Sequence, residues 1–166
     1  CLLSRGLGDV YKRQGYGHTV GTFNVMLGAC SGPRTCGAVG ECNIFIGGYT
    51  ASAMCCGLAN VLIGTHAGQC IRDAFCNVFL GRKSGLGVTS GCFNFYVGNH
   101  AGPSTCGASG SDNIGLGRDA MRNSTGGASC NIALGPYAGN DITGNYNVIL
   151  GCGAALDSTS LNRGII

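Results

Sequence analysis

Cysteine is the first residue type in this chain that could do chemistry. Of 12 cysteines in 166 residues, Cys36, Cys70 and Cys106 each stand seven residues before an asparagine, and Cys42, Cys76 and Cys130 stand directly before one. The pairs Cys36/Cys42 and Cys70/Cys76 share one six-residue separation. This spacing admits two readings, small apolar fillers or disulfides, and Cys36, Cys42, Cys70 and Cys76 are the candidates for the second. Zinc sites in sequence show C-x₂₋₄-C pairs in two clusters. No such pattern is present, and adjacent Cys55-Cys56 is too tight to supply it. His66 and His100 recur at one repeat position and should stand roughly 10 Å apart along a β stack, too far to share a metal. No carboxylate pair, phosphate loop leading into a helix, or calcium-binding nonapeptide is evident. We therefore expect no catalytic residue, cofactor or metal site.

What must position these residues is a repeat. Copies begin at Asn24, Asn43, Asn60, Asn77, Asn94, Asn113, Asn131 and Asn147, at successive separations of 19, 17, 17, 17, 19, 18 and 16 in sequence. Four residues after each asparagine comes a glycine: Gly28, Gly47, Gly64, Gly81, Gly98, Gly117, Gly135 and Gly151. Three further on a small residue is usual, as at Ser31, Ala67, Ser84, Ala101, Ala120, Ala138 and Ala154, and glycine often follows it. Asp119-Ala120-Met121 departs by placing Met121 where glycine is expected.

Between the asparagine and its glycine lie three residues, short enough for one brief strand. The first and third are aliphatic in nearly every copy, as in Val61 and Ile63, and alternation puts them on one face. We expect that face to be the core, with the glycine turning the corner. The middle position (Met26, Phe45, Leu62, Phe79, Tyr96, Gly115, Ala133, Ile149) should then point outward. Being mostly apolar, it predicts a covered outer face, near the axis of a homotrimer. The asparagines should stack as a structural ladder at a corner. One unit cannot bury its own strand, so the units must stack. The expected fold is all-β: a parallel β-solenoid or β-roll of about eight 16–19-residue repeats, a rod of roughly 35–40 Å at about 4.8 Å per rung.

Composition agrees. There are 32 glycines, no tryptophan and 10% charged residues, which argues against long helices. No apolar run approaches the roughly 18–20 residues of a membrane span, so membrane insertion is not expected. The segment 1–14 carries no repeat copy and resembles translated sequencing adapter; it is set aside as non-native. Without it seven basic and six acidic residues remain, so the formal charge gives no reason to expect nucleic-acid binding. The solenoid is assigned to 15–155, and 156–166 reads as a further, shortened repeat from Asn162 or as a tail.

The pattern N-[VI]-x-[LI]-G-x-x-[AS]-G with a Thr/Gly-rich return resembles the repeats of bacteriophage tail fibres. It is similar in style to the head repeats of trimeric autotransporter adhesins. The resemblance covers about residues 21–155. It implies a trimeric shaft or head at the virion or cell surface, supporting attachment to a host glycan or protein receptor. Tyr49, His66, His100 and Tyr137 form a candidate binding ridge, though solvated decoration is the plainer reading. Two alternatives are weighed. Ile63-Gly64-Thr65-His66-Ala67-Gly68 matches one hexapeptide of left-handed β-helix acyltransferases, which need about three per coil. An ice-binding solenoid would need a threonine ladder, and Thr35, Thr50, Thr89, Thr105, Thr125 and Thr143 fall out of register.

Overall fold

The computed structural model describes residues 18–34, 38–155 and 164–165. The segment 1–14, Cys36, Thr35 and most of 156–166 lie outside them. Two parallel sheets are present. β1 (His18–Val20), β3 (Ala38–Glu41) and β5 (Cys56–Leu58) form a three-stranded sheet. The other has eight strands stacked in chain order: β2 (Val25–Leu27), β4 (Ile44–Ile46), β6 (Val61–Ile63), β7 (Val78–Leu80), β8 (Phe95–Val97), β9 (Ile114–Leu116), β10 (Ile132–Leu134) and β11 (Val148–Leu150). Equivalent residues pair without slippage, as in Val61↔Val78, Leu62↔Phe79 and Ile63↔Leu80. The chain is an all-β parallel solenoid with one repeat per rung.

The asparagines explain why the register never slips. The backbone N–H of Asn77 and its Nδ2 both donate to Asn60 Oδ1, at 3.1 and 3.0 Å. The second Nδ2 hydrogen reaches Gly91 O at 2.9 Å, in the return of its own rung. The same double donation links Asn43 to Asn24, Asn60 to Asn43, and onward through Asn94, Asn113, Asn131 and Asn147. From Asn43 to Asn147 these side chains are buried, so each amide has its partners in a place where an unpaired one would cost about 1–3 kcal/mol. The next step of the ladder belongs to Gly164, whose N–H donates to Asn147 Oδ1 at 2.8 Å. Ile165 bridges Val148. Gly164 thus stands above Asn147 in the register of the ladder, and Asn162 lies outside the described residues.

Burial corrects the expected facing of the strand. Phe45, Leu62, Phe79, Ala133 and Ile149 are fully buried and Tyr96 is 1% exposed. Their flanking neighbours are half-buried or exposed. The middle column is therefore the core, and the first and third columns face out. The reason lies in the ladder: the asparagine points inward, and alternation carries the residue two positions later to the same face. Tyr96 remains tolerable inside because its hydroxyl reaches Asn94 Oδ1 at 3.4 Å.

Volume within the core is traded between the strand and the return. A Cβ on Gly68 would stand 2.8 Å from Leu62, and one on Gly85 or Gly102 would strike the ring of Phe79 or Tyr96. Where the strand supplies only Gly115, the return supplies Met121, fully buried beside it. The Met121 departure is thus complementary to Gly115. Met121 accepts a φ of 56° to do so, a left-handed backbone that glycine would adopt without strain.

Candidate interaction surface

The outward columns are Val25, Ile44, Val61, Val78, Phe95, Ile114, Ile132 and Val148, and Leu27, Ile46, Ile63, Leu80, Val97, Leu116, Leu134 and Leu150. None of the sixteen carries a polar side chain. They stand one above another on a continuous parallel sheet, and exposure reaches 52% at Val25 and 50% at Leu150. A sheet face in water normally alternates apolar-in with polar-out; this one is apolar on both faces. Along one border runs the residue before each asparagine. It is left-handed in every rung, with φ of 54–60° from Phe23 to Tyr146. That backbone is affordable because its N–H bonds the preceding rung, as Cys76 N to Leu58 O at 3.0 Å and Phe93 N to Phe75 O at 3.1 Å. Phe23, Phe93 and Tyr146 make this border aromatic and are 85%, 60% and 58% exposed.

The second corner carries the ridge. Tyr49, His66, Lys83, His100, Asp119 and Tyr137 all have φ near 60° and stack through backbone bonds to the rung before, such as His66 N to Gly48 O at 2.9 Å. The rings of Tyr49 and His66 lie parallel with centroids 5.1 Å apart. Arg118 covers Tyr137 at 5.0 Å. Arg82 Nη1 stands 3.3 Å from His100 Nε2; since a guanidinium can only donate, Nε2 accepts and His100 is neutral. Partial burial, with Arg122 and Lys83 nearby, holds its pKa below the ordinary histidine range. His66 and His100 are separated by the Lys83 rung. The ridge offers stacked rings and cations, suited to weak contacts with a polar partner.

Of the four candidate disulfide cysteines, Cys36 lies outside the described residues and one of the other three is bonded, to a partner outside that set. Cys70 is bonded to Cys106, with Cα atoms 5.7 Å apart at a sequence separation of 36. Cys42 and Cys76 are free and exposed. Cys70 lies in the return of its rung, whereas Cys76 occupies the left-handed corner before Asn77, so the six-residue spacing places them on different parts of the coil. Cys106 reaches Cys70 from the long rung that starts at Asn94, across the intervening one. By closing a loop of this length the bond should stabilise the fold by about 3–4 kcal/mol. We expect reductant, or Cys106→Ser, to lower urea-unfolding stability by up to that amount. Peptide mass mapping without reductant should recover a Cys70–Cys106 cross-link.

A void lined by Val88, Tyr96, Met121 and Ser124 measures about 10 Å³, room for a water at most. Among the described residues no helix is long and apolar enough to cross a membrane. Sequence reasoning missed one column that the fold depends on. The residue three before each asparagine (Gly40, Gly57, Ala74, Gly91, Gly110, Ala128, Gly144) is always small, and its carbonyl accepts from the asparagine that opens its own rung. In comparisons with protein-family models, curated proteins and solved structures, nothing matches this chain.

Proposed function

We propose that this solenoid is a structural and adhesive repeat segment, of the kind that builds a phage tail fibre or a surface adhesin. In this reading it is a homotrimer at the virion or cell surface, it supports attachment to a glycan or protein receptor, and it is not an enzyme. The observation that carries the reading is the sixteen-position apolar face. Eight strands at about 4.8 Å and two side-chain columns make a patch of roughly 400 Å², as large as patches that mark interaction sites on monomers. Its regular ridges are matched best by another stack of the same period, which is a second copy of this chain. Two faces pressed together would bury about 800 Å², and three around an axis about 1,200 Å² shared among three contacts, so the reading rests on the regularity of the face and not on its area. The axis would therefore be lined by Val78 and Leu80 and their columns, not by the Phe79 column. The ridge of Tyr49, His66, His100 and Tyr137 would then face outward as the receptor-contacting side.

Solution mass tests this reading. Light scattering should give three times the chain mass of 16.7 kDa. Val78→Asp, at the centre of the face, should give a monomer with exposed-hydrophobe dye binding. A parent protein that stays monomeric would sink the trimer and with it the fibre. If the trimer stands, replacing Tyr49, His66, His100 and Tyr137 by Asn, which tolerates the left-handed corner, should abolish retention on host-surface glycans without changing mass.

A further inference from the structure

Two adjacent cysteines acquire a third neighbour only when the coil closes. Cys56, the first residue of β5, stands four positions before Asn60, and Asp73 stands four positions before Asn77, so they occupy one position on successive rungs. The backbone fixes the two together: Cys55 N and Cys56 N both donate to Arg72 O, at 3.0 and 2.9 Å, and Leu58 bridges Phe75 just beyond. As a result Cys55 Sγ, Cys56 Sγ and an Asp73 carboxylate oxygen all lie within 4.8 Å of one another. The two sulfurs are 3.8 Å apart. A tetrahedral ion with metal–sulfur bonds of about 2.3 Å requires a sulfur–sulfur edge of about 3.8 Å, so the dithiol is already spaced as one edge of such a site. All three residues are exposed, which leaves the remaining coordination positions to water.

We propose that Cys55, Cys56 and Asp73 bind a divalent cation of the zinc class and clamp two successive rungs of the solenoid together. Thiolate sulfur selects ions of this softness over calcium or magnesium, and the carboxylate completes a three-ligand protein set. Binding releases the two thiol protons to solvent, forms two metal–sulfur bonds and one metal–oxygen bond, and oxidises nothing. Cys56 is held above the ordinary thiol range, first by its hydrogen bond with Cys55 and further by the Asp73 charge. The site is independent of oligomeric state and of any receptor.

Titrations of the whole chain, kept reduced with a phosphine, test the site with Zn²⁺ in a calorimeter and with Cd²⁺ through its sulfur charge-transfer absorption. The parent should bind one equivalent more than a Cys55→Ser/Cys56→Ser variant, a difference in which the remaining cysteines cancel. Asp73→Asn should weaken that equivalent by at least about tenfold, since even residues behind the ligands cost 10–100-fold. Zn²⁺ should raise the Tm of the parent and leave that of the double variant unmoved. A Cys42→Ser/Cys76→Ser variant should titrate as the parent does. Equal stoichiometry in parent and double variant overturns the proposal, as does full-strength binding by Asp73→Asn or loss of the equivalent in the Cys42/Cys76 variant.

Discussion

Asn77→Ala is expected to lower the stability of the solenoid by about 3–5 kcal/mol, most of a small domain's margin. The substitution removes the acceptor of Asn94 N and Nδ2, at 3.0 and 3.1 Å, and the donor to Gly91 O at 2.9 Å. It leaves the Asn94 backbone N–H and the Gly91 carbonyl buried without these partners, while Asn94 Nδ2 keeps only its bond to Gly110 O at 2.9 Å. Asn60 Oδ1 suffers less, because the backbone N–H of residue 77 still reaches it. Asn77→Asp separates the two halves of the role. A carboxylate can accept from Asn94, but it faces Asn60 Oδ1 and Gly91 O, which are acceptors too. Burial among acceptors raises the folded-state pKa of such a group above its unfolded value. The protonated form is then favoured by folding, so stability is greatest at low pH and is lost as pH rises through the unfolded and then the folded value. Urea titrations at pH 4 and pH 7 should therefore show Asn77→Asp closer to the parent at pH 4, while Asn77→Ala stays equally weak at both. Asn24→Ala, at a half-buried position, should cost clearly less than Asn77→Ala. Equal losses at the two positions would mean that the ladder contributes through something other than buried pairing.

The same ladder shows what the sequence made legible and what it hid. Period, strand and corner glycine were readable because every rung must repeat the same contacts with the next, so the requirement is written eight times. The facing of the strand was readable in principle but was inverted by treating apolar uniformity as the mark of a core. Here the uniformly apolar columns are outside, and they vary in size as well, from Val78 to Phe95. The inner column runs from Gly115 to Tyr96 because the return can compensate, as Met121 does for Gly115. Placing the asparagine inside would have reversed the assignment, since Asn60 and Leu62 share a face. The small column at Gly57, Ala74 and Gly91 also left a signal, a fixed offset of three before the next asparagine. The Cys70–Cys106 bond left a partial signal, since both cysteines stand seven residues before an asparagine, but that offset does not say that they pair across an intervening rung. Cys56 and Asp73 likewise share an offset of four before an asparagine, and it is rung-to-rung registration that brings the carboxylate to the two thiols.

Gly64→Ala should be more damaging still, and the comparison with Gly151→Ala shows why. Both glycines adopt a φ, +136° and +123°, that L residues rarely take, and that strain alone costs about 1–3 kcal/mol. At Gly64 an added Cβ would also sit 2.5 Å from the carbonyl carbon of Gly81 and 3.0 Å from Arg82 N. These are backbone atoms of the next rung. They cannot retreat without stretching Gly81 N to Ile63 O, now 2.8 Å, on one side of the corner and Lys83 N to Thr65 O, now 2.9 Å, on the other. At Gly151 the nearest obstacle is Ala154 Cβ at 3.8 Å, ordinary contact. The difference between the two variants therefore isolates close stacking from backbone strain. In a one-dimensional stack the loss should also be local at first. Hydrogen exchange in Gly64→Ala should show protection failing at Ile63–Gly81 and Thr65–Lys83 before it fails at β9–β11, whereas Gly151→Ala should fray only from β11. If the two alanine variants prove equally stable, the corner glycines serve the turn alone, and the close approach of rungs is not what requires them.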